Sequence, residues 1–327
     1  MRRLLYSILL VLALFGGGAA WWLHHPMALS AQTLDLSIEP GTSVRGVAQA
    51  VNEAGAQVNP GLLYWWFRLS GKDRQIKAGS YEMDAGITPR SLLSQLVRGE
   101  ESLRVVTLVE GWNFTQVRAA LLKAELLKPT TNDLEPDSIM TMLGKPGLAP
   151  EGRFFPDTYM YAKGSTDLAV LKRALRAMDK HLDAAWAHRQ QGSVLKSADE
   201  ALILASIIEK ETGRASDRPM ISGVFNNRLR IGMLLQTDPT VIYGLGDTFD
   251  GNLRRSHLKA DTPWNTYTRG GLPPTPIAMP GKASLLAAVQ PAKTQALYFV
   301  ARGDGSSQFS ANLDDHNRAV NKFQRGQ

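Results

Sequence analysis

The chain is predicted to be an α+β protein with an N-terminal transmembrane helix, a small βααβ unit and a larger mixed α/β domain carrying a buried glutamate on a helix. Three observations carry this. Residues 4–23 are apolar and uncharged throughout, close to the roughly 20 residues that cross a bilayer as a helix. Between residues 34 and 99, two stretches of strand-like alternation bracket two stretches of helical spacing. Beyond residue 100, short strands are scattered among longer helix-patterned segments and loops rich in Pro and Gly.

Composition narrows the class. At 327 residues with 20% charged side chains, the chain can bury a substantial core in two or three units. The formal charge of +7 suits nucleic acid, anionic lipid or another acidic polymer and selects none of them. No run of Lys and Arg interleaved with aromatics occurs, which argues against nucleic acid. The absence of cysteine excludes disulfides, thiolate metal sites and a cysteine nucleophile.

The elements follow in order. Arg2 and Arg3 ahead of the apolar run place that end on the cytoplasmic side, and Trp21, Trp22, His24 and His25 read as the opposite interface. A cleaved signal peptide competes, since residues 16–20 are small, but the run passes through the Trp pair without an obvious cut site. Residues 1–25 are therefore read as a retained single-pass anchor in the cytoplasmic membrane. A linker leads to a strand at 34–38, closed by Pro40-Gly41-Thr42, and helical spacing runs over 44–54. Asn59-Pro60 opens a helix over 62–69, residues 77–83 return as a strand, and Thr88-Pro89 starts a helix that runs to 97. Together these define a subdomain at 34–99.

Residues 100–150 read as a connecting region. It holds a strand at 103–109, an amphipathic helix over 115–127 capped by Thr115, and an irregular stretch with short helices over 128–150. The last domain spans 151–327. An aromatic-rich segment at 151–161 precedes helices at 167–189, 198–212 and 220–230, then loops as far as Pro280 and a strand at 297–301.

The most informative stretch is LILASIIEKETG, residues 202–213. At about 100° per residue, Leu204, Ile207 and Ile208 form one apolar stripe, and Glu211 completes it. Glu209 falls well over about 100° away, where a solvated acid is expected. A carboxyl on a buried face is costly when ionised, so its pKa rises toward neutrality, the condition for a general acid. The alternative is a helix-end acid paired with an Arg such as Arg214 or Arg228.

Around it cluster segments rich in Asn, Tyr, Gln and Asp: Glu151 to Asp157, Leu235-Gln-Thr-Asp-Pro, Trp264 to Tyr267, Gly271 to Ile277, and Asn312 to Asn317 with His316. Such side chains suit a saccharide groove, although ordinary turn chemistry accounts for any one of them alone. No HExxH pair, GxSxG elbow, SxxK, Walker loop or GxGxxG occurs. No metal and no cofactor is expected.

The strings LASIIEKET (204–212), NRLRIGM (227–233), LQTDPTVIY (235–243), Asn265-Thr266-Tyr267 and Gly271-Leu-Pro-Pro resemble the MltG (YceG-like) endolytic murein transglycosylases. The resemblance covers nearly the whole chain, with the segment at 34–99 corresponding to a LysM-like unit. It implies cleavage of the MurNAc–GlcNAc β-1,4 bond of peptidoglycan without water, leaving 1,6-anhydroMurNAc ends and limiting strand length. By the family's motif the acid is the second Glu of Glu-Lys-Glu, Glu211 here. Gln236, Asp238, Asn265 and Tyr267 are expected to orient sugar or acetamide groups, with Glu151 a further groove residue. The resemblance also implies an inner-membrane protein with its catalytic part in the periplasm, peptidoglycan glycan strands as substrate and peptidoglycan synthases as partners. Thr275 stands where Gly is common in the family and is expected to alter a turn only. Two rivals stay open: a non-catalytic peptidoglycan-binding scaffold, and a water-using glycan hydrolase in which Asp238 lies opposite Glu211.

Overall fold

The computed structural model describes residues 2–100 and 102–326, apart from the side chains of 2–5 and 8–13. The chain divides into two compact units, one of residues 1–104 with 160–164 and one of residues 105–159 with 165–327. Residues 105–150 thus belong to the larger unit and are not a separate connecting piece.

In the first unit, helix α1 (Arg2–His24) is 23 residues long, about 34 Å at 1.5 Å per residue. Among the described residues no helix is long and apolar enough to cross a membrane. The expected span at 4–23 rests largely on residues 4, 5 and 8–13, whose side chains lie outside the described ones. Strands β1 (Ala28–Leu29) and β2 (Thr33–Ile38) lead into α2 (Val44–Glu53), then β3 (Ala56–Gln57), α3 (Pro60–Leu69), β4 (Gly79–Asp84) and α4 (Pro89–Arg98). Strands β2 and β4 pair antiparallel from Thr33↔Asp84 to Ile38↔Gly79, giving the expected βααβ order, while β1 and β3 form a short second pair. Period-2 alternation turns Leu36 and Ile38 inward beside Tyr81 and Met83. Val47, Val51, Leu63, Phe67, Leu92 and Leu96 from the three helices complete that core. The helix starts are locally encoded. Ser43 accepts from Gly46 N, Asn59 accepts from Gly61 N at 2.8 Å, and Thr88 and Ser91 cap each other reciprocally.

The chain passes through β5 (Leu103–Thr107) into α5 (Phe114–Lys123) and α6 (Pro136–Met142), and β6 (Thr158–Ala162) pairs with β5. The cap of α5 is Asn113, not Thr115. Its Oδ1 accepts from Gln116 N at 2.9 Å while the Gln116 side chain accepts from Asn113 N. Helix α7 (Asp167–Ala187) begins on a buried aspartate whose carboxylate accepts four hydrogen bonds from the amides and hydroxyls of Thr130 and Thr131, which ties down the preceding irregular segment.

Helix α8 (Ala198–Glu211), capped by Ser197, is the centre of the larger unit. It is followed by α9 (Arg218–Arg230), α10 (Asp238–Leu245), α11 (Arg255–Lys259) and α12 (Lys282–Val289). Strands β7 (Tyr298–Ala301) and β8 (Ser307–Ser310) pair antiparallel, and α13 (Leu313–Gln324) ends the described chain. Helix α8 packs against α7, α9, α10 and α12. Its Ala201, Leu202, Leu204, Ala205, Ile207 and Ile208 are all buried, so the helix is apolar around most of its circumference.

The stretch before Pro280, expected to be mostly loop, carries α10 and α11. The polar segment at 312–317 is a helix start, with Asn312 accepting from Asp315 N at 2.9 Å. Helix α12 was not anticipated. Its sequence KASLLAAV places Leu285, Ala287, Ala288 and Val289 in the core and so lacks an amphipathic period. Strand β8 was likewise missed, since SQFS carries little apolar alternation.

Candidate active site

Three polar side chains of α8 hold the loops packed on one of its sides. Ser206 Oγ accepts from Ile277 N at 3.0 Å, Glu209 accepts from Gly281 N at 3.0 Å, and Lys210 Nζ donates to Gly111 O at 3.2 Å. At about 100° per residue these three span a sector of roughly 100°, and Glu211 lies about 140° from Ser206. Glu209 is therefore not the solvated acid expected from the stripe. Its side chain is 7% exposed and lies 3.7 Å from the Arg218 guanidinium. The packing here is tight, since a Cβ on Gly281 would come within 1.8 Å of Glu110 Oε1.

Glu211, the last residue of α8, occupies a different environment. Its Oε1 accepts from the Thr237 hydroxyl, and among the described residues it makes no ion pair. Burial pushes its carboxyl up to about 7, and the negative charge of Asp238 adds to this, while the Thr237 hydrogen bond and the Arg228 charge oppose it. Neither arginine weighed as a partner pairs with it. Arg214 Nε donates to Ser216 Oγ. The buried Arg228 guanidinium donates to the carbonyls of Leu297, Leu234 and Leu235 at 2.7, 3.2 and 2.8 Å and lies over the Tyr298 ring. Glu211 is thus a half-buried, desolvated acid that pairs with neither arginine.

The turn before α10 aims Thr237 at that acid. Thr237 N donates to Thr266 Oγ1 at 3.1 Å, Gln236 N donates to Thr266 O at 3.1 Å, and the Thr240 and Thr266 hydroxyls meet at 2.9 Å. Gln236 adopts φ 48°, a left-handed conformation that costs a non-glycine residue energy and turns up where geometry matters. Gln236 and Asp238 are exposed. Asp238 accepts from the half-buried Tyr267 hydroxyl at 2.5 Å, and burial, then Asp238, pushes that phenol up.

Asn265 sits beneath them. It is fully buried, its Nδ2 donates to the carbonyls of His257, Leu258 and Ala260, and its Oδ1 accepts from Tyr267 N at 2.8 Å. The amide expected to meet a sugar is spent on backbone groups, and its effect is to place Tyr267. His316, on α13, stacks on Tyr298 at 5.1 Å.

Glu151 lies in a neighbouring groove of about 600 Å³, with Tyr243, Trp264, Lys210, Pro239 and Ile277 among its walls. The residue is 6% exposed. Its Oε2 accepts from Phe114 N at 3.1 Å and from the Tyr243 hydroxyl at 3.2 Å. Burial pushes this carboxyl up to about 7 against those two bonds and the Gly152 amide. Gly152 makes the position: at φ 76° a Cβ would meet Pro276 Cβ at 2.4 Å. Thr275 does more than alter a turn, because its hydroxyl accepts from Trp264 Nε1 at 2.9 Å and donates to Pro276 O. Helix α10 joins the two regions, with Asp238 and Tyr243 five residues apart, about 7.5 Å along its axis. Thr237 and Tyr243 were not singled out from sequence, although both lie inside the LQTDPTVIY string.

The raised carboxyl at Glu211 sets a pH dependence of stability. Its pKa is 4.5 unfolded and about 7 folded, so its contribution is complete below pH 4.5 and lost as pH rises through 7. Glu211→Gln removes that loss. Urea unfolding is expected to show the variant more stable than the parent at pH 8, by on the order of 3 kcal/mol, with the difference shrinking toward zero at pH 4.

Comparison with known proteins gives this geometry its lineage. The YceG-like family model matches residues 36–322. The endolytic murein transglycosylase of Bacillus subtilis (strain 168) is 30% identical over 319 residues, covering 90% of this chain and 86% of the relative. That of Streptococcus pneumoniae serotype 2 (strain D39 / NCTC 7466) is 26% identical over 360 residues, covering 98% of this chain and 65% of the relative. The crystal structure of a yceG-like protein, lmo1499, from Listeria monocytogenes superposes with a TM-score of 0.55 at 28% identity, covering 88% of this chain and 98% of that one. With the match running through the Glu211 helix, the Thr237–Asp238 turn and the Glu151 groove, this chain belongs to the YceG-like family.

Proposed function

We propose that this chain is an endolytic peptidoglycan lytic transglycosylase with Glu211 as its single catalytic acid and base. The observation that carries the reading is a half-buried carboxyl, pushed by desolvation up to about 7 with no ion pair among the described residues, beside the exposed Gln236 and Asp238. It is supported by relatives named endolytic murein transglycosylase.

The chemistry needs one group that gives a proton and takes one back. Neutral Glu211 protonates the oxygen bridging MurNAc C1 and GlcNAc C4, and the C1–O bond breaks with oxocarbenium character. The carboxylate left behind takes the proton of the MurNAc C6 hydroxyl, whose oxygen bonds to C1. One proton has moved from C6–OH to the departing GlcNAc oxygen, and no water is consumed. Burial favours the neutral acid at the start. The Thr237 hydroxyl and the Arg228 charge stabilise the transient carboxylate. No second carboxylate is required, because the attacking oxygen belongs to the substrate and is held close to C1. Asp238, with its oxygen on Tyr267, helps to position the chain of sugars and raises Glu211 by its charge.

In the same reading residues 4–23 anchor the chain in the inner membrane with Arg2 and Arg3 on the cytoplasmic side, so that the larger unit works in the periplasm on nascent strands. The βααβ unit acts as a LysM-like glycan contact, and peptidoglycan synthases are the partners such a location favours.

Product masses from purified glycan strands decide the activity. The native protein is expected to leave anhydro ends, one water lighter than reducing ends, with kcat falling as pH rises above 7. Glu211→Gln is expected to lower kcat at least about 100-fold. Reducing ends would mean a water-using hydrolase with Asp238 as base, and bound but uncut strands would mean a scaffold. Thr237→Val offers an independent check. Removing the hydroxyl is expected to move the alkaline limb of the pH profile upward and to lower kcat by about 10-fold or more, the worth of a hydrogen bond to a charged group.

A further inference from the structure

Glu151 has hydrogen-bond capacity that the proposed acid–base chemistry of Glu211 leaves unused. Its two well-formed accepted bonds both fall on Oε2, from Phe114 N and the Tyr243 hydroxyl, with the Gly152 amide a weaker influence on the carboxyl. Its Oε1 is buried and has no partner. Among the described residues no cation pairs with it, and an ionised carboxylate with one bare oxygen is a costly thing to bury. Geometry also places the proton of the neutral form. A backbone amide can only donate, so Oε2 stays an acceptor and the hydrogen belongs on Oε1. The result is a buried O–H donor with no acceptor among the described residues, set in the wall of a groove of about 600 Å³.

The walls indicate what completes it. Trp264, Ile242, Pro239 and Ile277 give the groove apolar faces, and Asn113 and Gln116 give it amides. An acetamido group matches this division, offering one strong carbonyl acceptor and one methyl group beside a ring whose hydroxyls meet amides.

We propose that Glu151 works as a neutral hydrogen-bond donor in a sugar subsite, its Oε1 hydroxyl donating to the acetamido carbonyl of an N-acetylated hexosamine. The proposal rests on the peptidoglycan reading above and names how one of its sugars is recognised. Oε1 is buried, so seating the sugar involves a side-chain rotation of the kind common on binding. The burial-raised carboxyl is consistent with the neutral form at and below neutral pH. The other ionisable side chains in the groove wall are Tyr243 on α10, Lys210 on α8, whose ammonium donates to Gly111 O, and Asp247 just beyond α10.

The test is binding, in the full chain carrying Glu211→Gln so that Glu211 neither turns over nor titrates. The probes are a chitin oligosaccharide and its deacetylated counterpart, with and without Glu151→Gln or Glu151→Ala. A Gln amide reproduces the arrangement, its oxygen accepting from Phe114 and Tyr243 and its NH₂ donating where Oε1–H did. Glu151→Gln is therefore expected to keep the acetylated oligomer's affinity within about threefold, and Glu151→Ala to weaken it about tenfold or more. With Glu151 in place, affinity is expected to fall between pH 6 and 8, and with Gln to stay level.

The idea is overturned if Glu151→Gln loses affinity as Ala does, or if the pH dependence persists in Glu151→Gln. It is equally overturned if the protein with Glu151 in place binds both oligomers alike. Should the Ala variant not fold, the Gln variant and its pH profile still decide. Absence of anhydro ends from the native protein would instead strike the transglycosylase reading, leaving the acetamide contact to stand or fall on binding.

Discussion

The structure of the larger unit turns on one constraint, a largely desolvated carboxyl with no ion pair among the described residues. Glu211 ends a helix buried around most of its circumference, and its recorded side-chain hydrogen bond comes from a hydroxyl. The nearby Arg228 decides how far this goes. A guanidinium in direct contact lowers a carboxylate's pKa by roughly one to three units, which would leave no proton to give at neutral pH. Here that guanidinium is turned onto three backbone carbonyls and a tyrosine ring. Its charge still tempers the carboxyl, but desolvation prevails and the group sits at about 7.

Much of the surrounding architecture serves that balance. Ser206, Glu209 and Lys210 tie α8 to the loops at 277, 281 and 111. The Thr237, Thr240 and Thr266 hydroxyls form a linked set that points one donor at Glu211, and the left-handed Gln236 makes the turn that permits it. Helix α10 then carries the chain to Tyr243, which contacts a second raised carboxyl at Glu151. The two raised acids have different partners and so suit different work. Both accept from a hydroxyl, Thr237 at Glu211 and Tyr243 at Glu151, but Glu151 Oε1 is buried without a hydrogen-bond partner among the described residues.

The smaller unit was legible from sequence because its helices are amphipathic and its caps are local. Ser43, Asn59 and Thr88 each announce a helix within three residues. Glu211 was legible for a related reason, since helical spacing alone puts it on the apolar stripe. Glu209 was not. Its burial depends on Gly281 N, 72 residues away, and no local pattern reports such a partner. Helix α12 escaped because a fully buried helix shows no period, and Asn265 was misjudged because an amide that binds carbonyls looks the same in sequence as one that binds sugars. The Arg228 question also needed coordinates, since three carbonyls and a carboxylate compete equally for a guanidinium on paper.

The central claim is that Glu211 holds its proton near neutral pH because it is desolvated and, among the described residues, makes no ion pair. Carbon-13 NMR titration of the glutamate side-chain carboxyls, with the Glu211 signal assigned by its loss in Glu211→Gln, measures this directly. The account predicts a midpoint near 7 for that signal. A midpoint at or below 4.5, the value of an ordinary glutamate, would show a solvated or ion-paired carboxylate and contradict it.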